Sequence, residues 1–587
     1  MKSVRILVCV LVACSHPPHP TPPTPAQPIV APPPAPVAVT LSIVGTNDLH
    51  GAIERLPLFA GFVANLRAAR AADHGGVVLV DGGDMFQGTL ESNLAEGADI
   101  VRAYNQIGYA AAAVGNHELD YGPVGPAVIA QSAADDPRGA LKARASEAKF
   151  PFVVSNIFDA QTGARIAWPN MPAATLVEVA GIKVGIIGAS TASTPFTTMP
   201  ANFVGLQMVP PAPAIAEQAA ALRAQGAKVI VATMHIGSSC KKFDVPDDVS
   251  SCEQDEELFQ LIAALPRGTV DVIVGGHTHA GVAHRIAGIA VIESYSSGRA
   301  FGRVDLQLGR DGHITASKIE QPHAICAGER NGNATAIAAC TPGDYEGKPV
   351  IADLEVQNIV DIAVARAAER RKERLGVTLT QTVARAHAVE SAEGNLVTDL
   401  MLAARPDAEV SVTNGGGLRA DLPAGELTYG ELFAALPFDN RFAIVDVSGA
   451  DLRKLVTGNL THAGGYNSWG GLTAKARCKA HKLDVQLWVA GKPLVETRRY
   501  KLVTSDFLAS GGDGMIGRLK LPAVAIHMTD TILRDALADL LRAYKGTPKA
   551  TIDPAKLVVT SRPRLDYPGT RPVTCGAPGA ASQELAE

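Results

Sequence analysis

Five short apolar runs in the first half of the chain each end in a cluster of Asp, Asn or His. Leu41-Ser42-Ile43-Val44 leads into Asn47-Asp48-Leu49-His50, and Val77-Val78-Leu79-Val80 leads into Asp81-Gly82-Gly83-Asp84. Ala111-Ala112-Ala113-Val114 leads into Gly115-Asn116-His117-Glu118, Val229-Ile230-Val231-Ala232 leads to His235, and Val270 to Val274 leads into Gly275-Gly276-His277-Thr278-His279. Between Thr40 and about Gln321 such runs alternate with Ala-rich stretches of helical spacing, among them Leu58 to Ala72 and Ala212 to Gln225. That alternation predicts a layered α/β architecture. Ligands bind beyond the carboxyl ends of strands in such sheets, so the five polar tips are placed to converge on one site.

Farther along, Asp353 to Leu375 carries apolar residues at three- and four-residue intervals and runs up to Gly376, which predicts a connecting helix. Its basic cluster Arg370, Arg371, Lys372 and Arg374 is interleaved with Glu369 and Glu373, the pattern of a solvated helix face. From Gly394 to about Pro563, strand-like runs (Phe442 to Val447, Tyr500 to Thr504) mix again with helical ones (Asp530 to Tyr544), predicting a second domain. A chain of 587 residues also exceeds what one core usually organises.

The amino-terminal end changes the picture. Lys2 and Arg5, the apolar run Ile6 to Val12, then Ala13 and Cys14 read as an export signal too short to span a membrane. Leu11-Val12-Ala13-Cys14 resembles a bacterial lipobox, which makes Cys14 a candidate for lipidation and the membrane a partner through that anchor, in the periplasm or on the outer membrane. Ser15 to Ala38 holds eleven prolines and no Asp, Glu, Lys or Arg, the composition of an extended tether. With Cys9 removed and Cys14 committed to lipid, six cysteines remain for an oxidising compartment. Proximity pairs Cys240 with Cys252 and Cys326 with Cys340, leaving Cys478 with Cys575, although sequence alone does not fix the connectivity. The tail after Pro572 is small and polar, and is expected to be poorly ordered unless Cys575 ties it down. The chain is 47% hydrophobic and 19% charged with a formal net charge of -5, which excludes bulk nucleic acid as a partner.

Oxygen and imidazole donors without a Cys-X-X-Cys thiolate pair suit hard or borderline divalent ions, and a shared carboxylate lets two of them share one site. Two divalent ions bring four positive charges against the two of Asp48 and Asp84, leaving a cationic centre for phosphate. The ordered set resembles the metallophosphoesterase signature Asp-X-His, Gly-Asp, Gly-Asn-His-Glu, His, Gly-His-X-His. The resemblance implies one ion on Asp48, His50, Asp84 and His279 and another on Asp84, Asn116, His235 and His277, drawn from Mn, Zn, Co or Fe. It also implies that His117, with Asp120 three residues on to orient its ring, assists the transition state.

Three segments of the second half resemble the 5'-nucleotidase C-terminal domain: Asn414-Gly415-Gly416-Gly417-Leu418-Arg419, Leu436-Pro437-Phe438-Asp439-Asn440, and Asp506-Phe507-Leu508-Ala509-Ser510-Gly511-Gly512-Asp513-Gly514. Gly runs let backbone approach a ligand, and Arg419 can pair with an anion. Phe438 and Phe507 offer faces for a base, Asp513 can accept ribose hydroxyls, and Asn414 can contact base or phosphate. Many relatives carry a further Arg before Glu390, where this chain has His387-Ala388-Val389; Arg385 is nearby but out of register.

The resemblance spans about Thr40 to Pro563. It implies a four-layer α/β/β/α sandwich followed by a smaller α/β domain joined by a linker helix. The expected divisions are a signal peptide (1–13), a Pro-rich tether (14–39), the catalytic domain (40–330), a linker with helix (331–376), the substrate-binding domain (377–565) and a tail (566–587). The implied activity is hydrolysis of nucleoside 5'-monophosphates to nucleoside and phosphate. UDP-sugar hydrolysis, 2',3'-cyclic phosphodiesterase with 3'-nucleotidase activity and, remotely, a non-catalytic nucleotide- or partner-binding lipoprotein are the alternatives. Oligomeric state is not legible.

Overall fold

The structure, a computed structural model, describes residues 39–309, 311–328, 337–545, 547, 550–559 and 561–575. The export signal, Cys14 and the Pro-rich segment up to 38 therefore lie outside the described residues. The described residues form one compact unit.

Two six-stranded sheets make the first half. In one, Val39–Thr46, Gly76–Asp81, Ala111–Ala113 and Phe152–Val153 run parallel, with Ala300–Leu308 and Ile314–Ala324 antiparallel at the edge. In the other, Ile182–Ser190, Val229–His235, Val272–Val274 and Ile289–Ser294 are parallel, flanked by antiparallel Ala174–Val179 and Gly281–Ile286. Alternate residues of these strands face opposite ways. Leu41, Ile43, Val78 and Val80 pack against Val184, Ile186, Val231 and Val274 in the core between the sheets. Val44, Leu79 and Ala112 turn outward beneath the helices Leu56–Ala72, Ala98–Ile107 and Leu354–Lys372. Ile230, Ala232 and Met234 do the same beneath Pro211–Ala224 and Glu257–Ala264. The result is the expected α/β/β/α order, and burial on both faces explains why the runs are continuously apolar rather than alternating.

The second half has a five-stranded sheet ordered Asn467–Gly470, Val410–Asn414, Arg499–Ser505, Arg441–Ser448, Ile526–Ile532. Helices Ala392–Ala404 and Leu533–Ala543 cover one face, and Gly449–Thr461 covers the other. The stretch Asp530 to Tyr544 is thus not wholly helical. Its first residues complete a strand paired with Arg441–Ser448, because Thr529, Thr531 and Ile532 suit a pleated edge.

The connecting helix is present as Leu354–Lys372, with the Asp353 side chain accepting from the Glu355 and Val356 amides. It ends earlier than Gly376: Arg374–Leu379 is a strand in which Leu375, Val377 and Leu379 point inward at period two, and Gly376 sits inside it at φ 74°. Nor is the basic face simply solvated. Arg371 donates to Glu91 (2.8 Å) and Glu54 (3.3 Å), Arg366 pairs with the buried Asp99, and the Arg370 guanidinium lies 3.8 Å from the Tyr429 ring centroid.

All three expected disulfides are formed, Cys240–Cys252, Cys326–Cys340 and Cys478–Cys575. The last ties the tail to the second half, where Val573 is buried in the core. No helix among the described residues is long and apolar enough to cross a membrane.

Candidate functional site

Four parallel strands, two from each sheet, end on the same edge, and with the loop after Ala111–Ala113 they deliver the polar tips to one place. Asp48, Asp84, Asn116 and His235 are buried there, beside His50, His277 and His279. The backbone is held in an unusual form. Asp48, His50, Asp84, His277 and His279 all have φ between 49° and 84°, a region few non-glycine residues occupy. Such strain persists where the surroundings over-determine it, and it clusters at functional sites. Gly115 is required by close approach, because a Cβ there would overlap Asp84 Oδ1.

Two groups of donor atoms form. In the first, Asp48 Oδ1 lies 3.2 Å from His279 Nε2 and 3.8 Å from His50 Nε2. In the second, His235 Nε2 lies 3.0 Å from Asp84 Oδ2, 3.0 Å from Asn116 Oδ1 and 3.2 Å from His277 Nδ1. Asp84 Oδ2 is also 3.8 Å from His50 Nε2, so this one carboxylate stands between the groups. Tautomers are fixed from behind: His50 Nδ1 donates to Gln87 O (2.8 Å) and His235 Nδ1 to Gly82 O (3.0 Å), leaving each Nε2 facing inward.

These residues fit divalent ions. Asp48 Oδ1 is buried and accepts no hydrogen bond, an arrangement that is costly unless a cation meets it. Burial alone would raise the Asp48 and Asp84 carboxyls, but facing imidazoles, His279 for Asp48 and His235 for Asp84, hold both well below the usual range. Burial opposes a charge on His235, yet Asp84 outweighs it and pushes the imidazole up to about 10; an ion would replace that proton. Burial and neighbouring His235 push His277 down to about 3. The remaining three-residue cluster of ligand type among the described residues, Cys240, Cys252 and His284, has both sulfurs committed to a disulfide.

Beside the two groups, His117 Nδ1 is 2.5 Å from Asp120 Oδ2, and Asp120 Oδ1 accepts from Thr198 Oγ1 and the Met199 amide at 3.0 Å each. Burial lowers the His117 pKa, but Asp120 and Asp84 more than offset this and raise it. His117 Nε2 is 4.0 Å from Asp84 Oδ2.

The second half supplies the opposite wall. Asn414, Arg419, Phe438, Phe507 and Asp513 all line the cavity of about 1450 Å³ that reaches the donor cluster at His50, Asp84, Asn116, His277 and His279. Arg419 Nη2 lies 3.3 Å from His50 Nε2, Phe438 stacks on His117 with centroids 5.3 Å apart, and Asn414 Nδ2 donates to Asp513 Oδ2 at 2.6 Å. Among the described ring pairs Phe438 meets His117 rather than Phe507, which packs instead over Gly512. Arg385, out of register with the family pattern, and His387 also line the cavity. Arg385 is steered there by its amide on Asp421 Oδ1 (2.9 Å) and its guanidinium on Leu418 O (3.1 Å).

Sequence reading misses the supports. Glu118, fully buried, accepts from the amides of Asp84 (2.8 Å), Met85 (2.6 Å) and Gly115 (2.7 Å); burial and Asp84 push its carboxyl up to about 8. Asn47 donates to Asp48 Oδ2 (2.7 Å), and Glu293 accepts from Thr278 Oγ1 (2.6 Å) between two of the histidines. Glu118, Asn47 and Thr278 lie within the quoted motifs, which is the one signal that points to them; Glu293 is far from any.

The fold and site define a metal-dependent phosphoester hydrolase, and residues 41–281 match the calcineurin-like phosphoesterase family. Residues 364–518 match the 5'-nucleotidase C-terminal domain. The silent protein UshA(0) of Salmonella typhimurium is 27% identical over 520 residues, covering 81% of this chain and 86% of that protein. A 5'-nucleotidase of Vibrio cholerae is 25% identical over 515 residues, covering 81% and 85%. The structure of a 5'-nucleotidase precursor from Thermus thermophilus superposes with a TM-score of 0.67 at 23% identity, over 90% of this chain and 99% of that one. With both matches in this order, the chain belongs to the 5'-nucleotidase family.

Proposed function

We propose that this chain hydrolyses nucleoside 5'-monophosphates to nucleoside and phosphate, with two divalent ions that would share Asp84 as a ligand. The observation that carries this reading is a single cavity shared by the two donor groups and by Arg419, Phe438, Phe507 and Asp513. One ion would be held by Asp48, His50, Asp84 and His279, the other by Asp84, Asn116, His235 and His277. Such a pair lowers the pKa of water, orients a phosphoryl group and neutralises its charge.

The chain's own residues do the rest. Arg419 pairs with the phosphate oxygens and draws the ester toward the cluster. His117, its pKa raised by Asp120 and Asp84 against burial, stabilises charge gathering on the phosphoryl group or on the leaving 5'-oxygen. Phe438 and Phe507 flank the base, a contact that tolerates purines and pyrimidines alike. Asp513, positioned by Asn414, accepts from ribose hydroxyls. The cavity exceeds the usual range for small ligands, so UDP-sugars and 2',3'-cyclic nucleotides belong in the test. Three disulfides support an oxidising, exported setting, with Cys14 as the lipid anchor.

The test is phosphate release by chelator-treated protein reloaded with Mn, Co, Zn or Fe, on AMP, UMP, UDP-glucose, 2',3'-cyclic AMP and p-nitrophenyl phosphate. AMP and UMP should have the highest kcat/KM. No release from any mononucleotide with any metal would overturn the assignment.

A further inference from the structure

Phe438 is presented by a turn, Leu436 to Asp439, that is held from two sides. From its own half, the buried Arg534 donates to Leu436 O (3.0 Å) and Phe438 O (3.3 Å), pairs with Asp439 and stacks on Phe433 (4.1 Å). From the catalytic half comes a side chain with no assigned role: Asn93 Nδ2 donates to Pro437 O at 3.1 Å. The same amide nitrogen also donates to Gln87 Oε1. Gln87 in turn uses its backbone carbonyl to hold His50 Nδ1. Asn93 Oδ1 is occupied on the catalytic side, accepting from Tyr121 Oη (3.0 Å) and the Gly88 amide (3.2 Å).

The neighbours of Asn93 point the same way. Leu90 is buried in the core of the second half, and Glu91 takes Arg371. The capping Thr89 donates to Gly51 O at 2.6 Å, next to His50. One short segment therefore grips the second half at one end and a metal-facing imidazole at the other.

We propose that Asn93 is a positioning residue for the reaction: through its amide nitrogen it seats the Phe438 turn over His117, in register with His50. Its role in turnover rests on the nucleotide reading above; its role in seating the turn does not. Without the donor, the Pro437 carbonyl loses its contact with the catalytic half, and Phe438 can drift from His117 while Arg534 still holds the turn to its own domain.

Asn93→Asp keeps both acceptor contacts at Oδ1 and replaces the donor with a charged acceptor, and Asn93→Ala removes the donor without adding charge. In the full-length, metal-loaded protein, amide hydrogen exchange over 436–440 should rise in both variants. Unchanged exchange would overturn the proposal whatever the substrate. For turnover, kcat/KM on AMP should fall about tenfold more than on p-nitrophenyl phosphate, as expected for one to two lost hydrogen bonds. Asn93→Asp combined with Phe438→Ala should be no worse than Phe438→Ala alone, because the two act through one contact. Equal losses on both substrates, or multiplicative losses in the double variant, would refute the seating role. If the wild type itself shows no preference for AMP, the nucleotide reading fails while the exchange experiment still decides the seating.

Discussion

Arg419 Nη2 stands 3.3 Å from His50 Nε2, so a guanidinium from the second half points at the ring nitrogen that faces the donor cluster. Burial and nearby Arg385 work against the Arg419 charge, while Asp84 and Asp48 support it. Burial and the Arg419 charge push the His50 pKa well below its ordinary value, so the guanidinium meets a neutral ring whose Nε2 can accept from it. Arg419 lines the same cavity as the donor cluster, where its guanidinium can pair with an anionic group.

Arg419→Ala should lower kcat/KM on AMP by about ten- to a hundredfold, the value of charge-assisted hydrogen bonds. Arg419→Lys should recover only part of it, because a point charge does not reproduce the planar fork. Steady-state kinetics of the two variants check this, and equal rescue by Lys would contradict it.

Asp84→Ala should remove the shared carboxylate and with it both ions. Metal content measured by elemental analysis should drop, and turnover should fall by more than the ~10- to 100-fold typical of outer supports. The wild type's melting temperature should fall on chelation, since ions bind only the folded state. The Asp84→Ala protein should show no such shift.

Glu393 gives the pH dependence. It is fully buried, neither carboxylate oxygen has a hydrogen-bond partner, and burial with nearby Asp421 pushes its pKa up to about 9. The unfolded value is about 4.3, so the folded state binds this proton more tightly. Its contribution to stability is complete below the unfolded value and is lost as pH rises toward 9. Glu393→Gln removes the titration. Thermal melts from pH 5 to 9 should show the variant gaining stability relative to wild type as pH increases.

Cys478→Ser opens the disulfide that closes the widest loop of the three, with a sequence separation of 97 between its ends. The expected loss is about 2–5 kcal/mol, read from denaturant unfolding of the second half.

Much of this is legible because the strands that carry ligands are buried on both faces and end abruptly in polar residues, a contrast composition alone makes visible. Helix starts at Leu56 and Pro211 fall within two residues of expectation for the same reason. What is not legible depends on partners distant in sequence. Glu118 reads as an ordinary acid until three amides converge on it, and Arg371 as a surface charge until Glu91 is found opposite. Gly376 misleads because glycine serves equally to stop a helix and to bend a strand. Arg385 looks misplaced because register along the chain does not report where a side chain reaches.

The long helix Leu354–Lys372 has Val356, Val360 and Ala363 in the catalytic core and Ala367 in the other. A protease nick near its middle would uncover apolar surface on both sides at once. Neither half is then a free-standing module that could be exchanged by recombination, and a chain cut there should lose solubility before it loses any single contact at the ions.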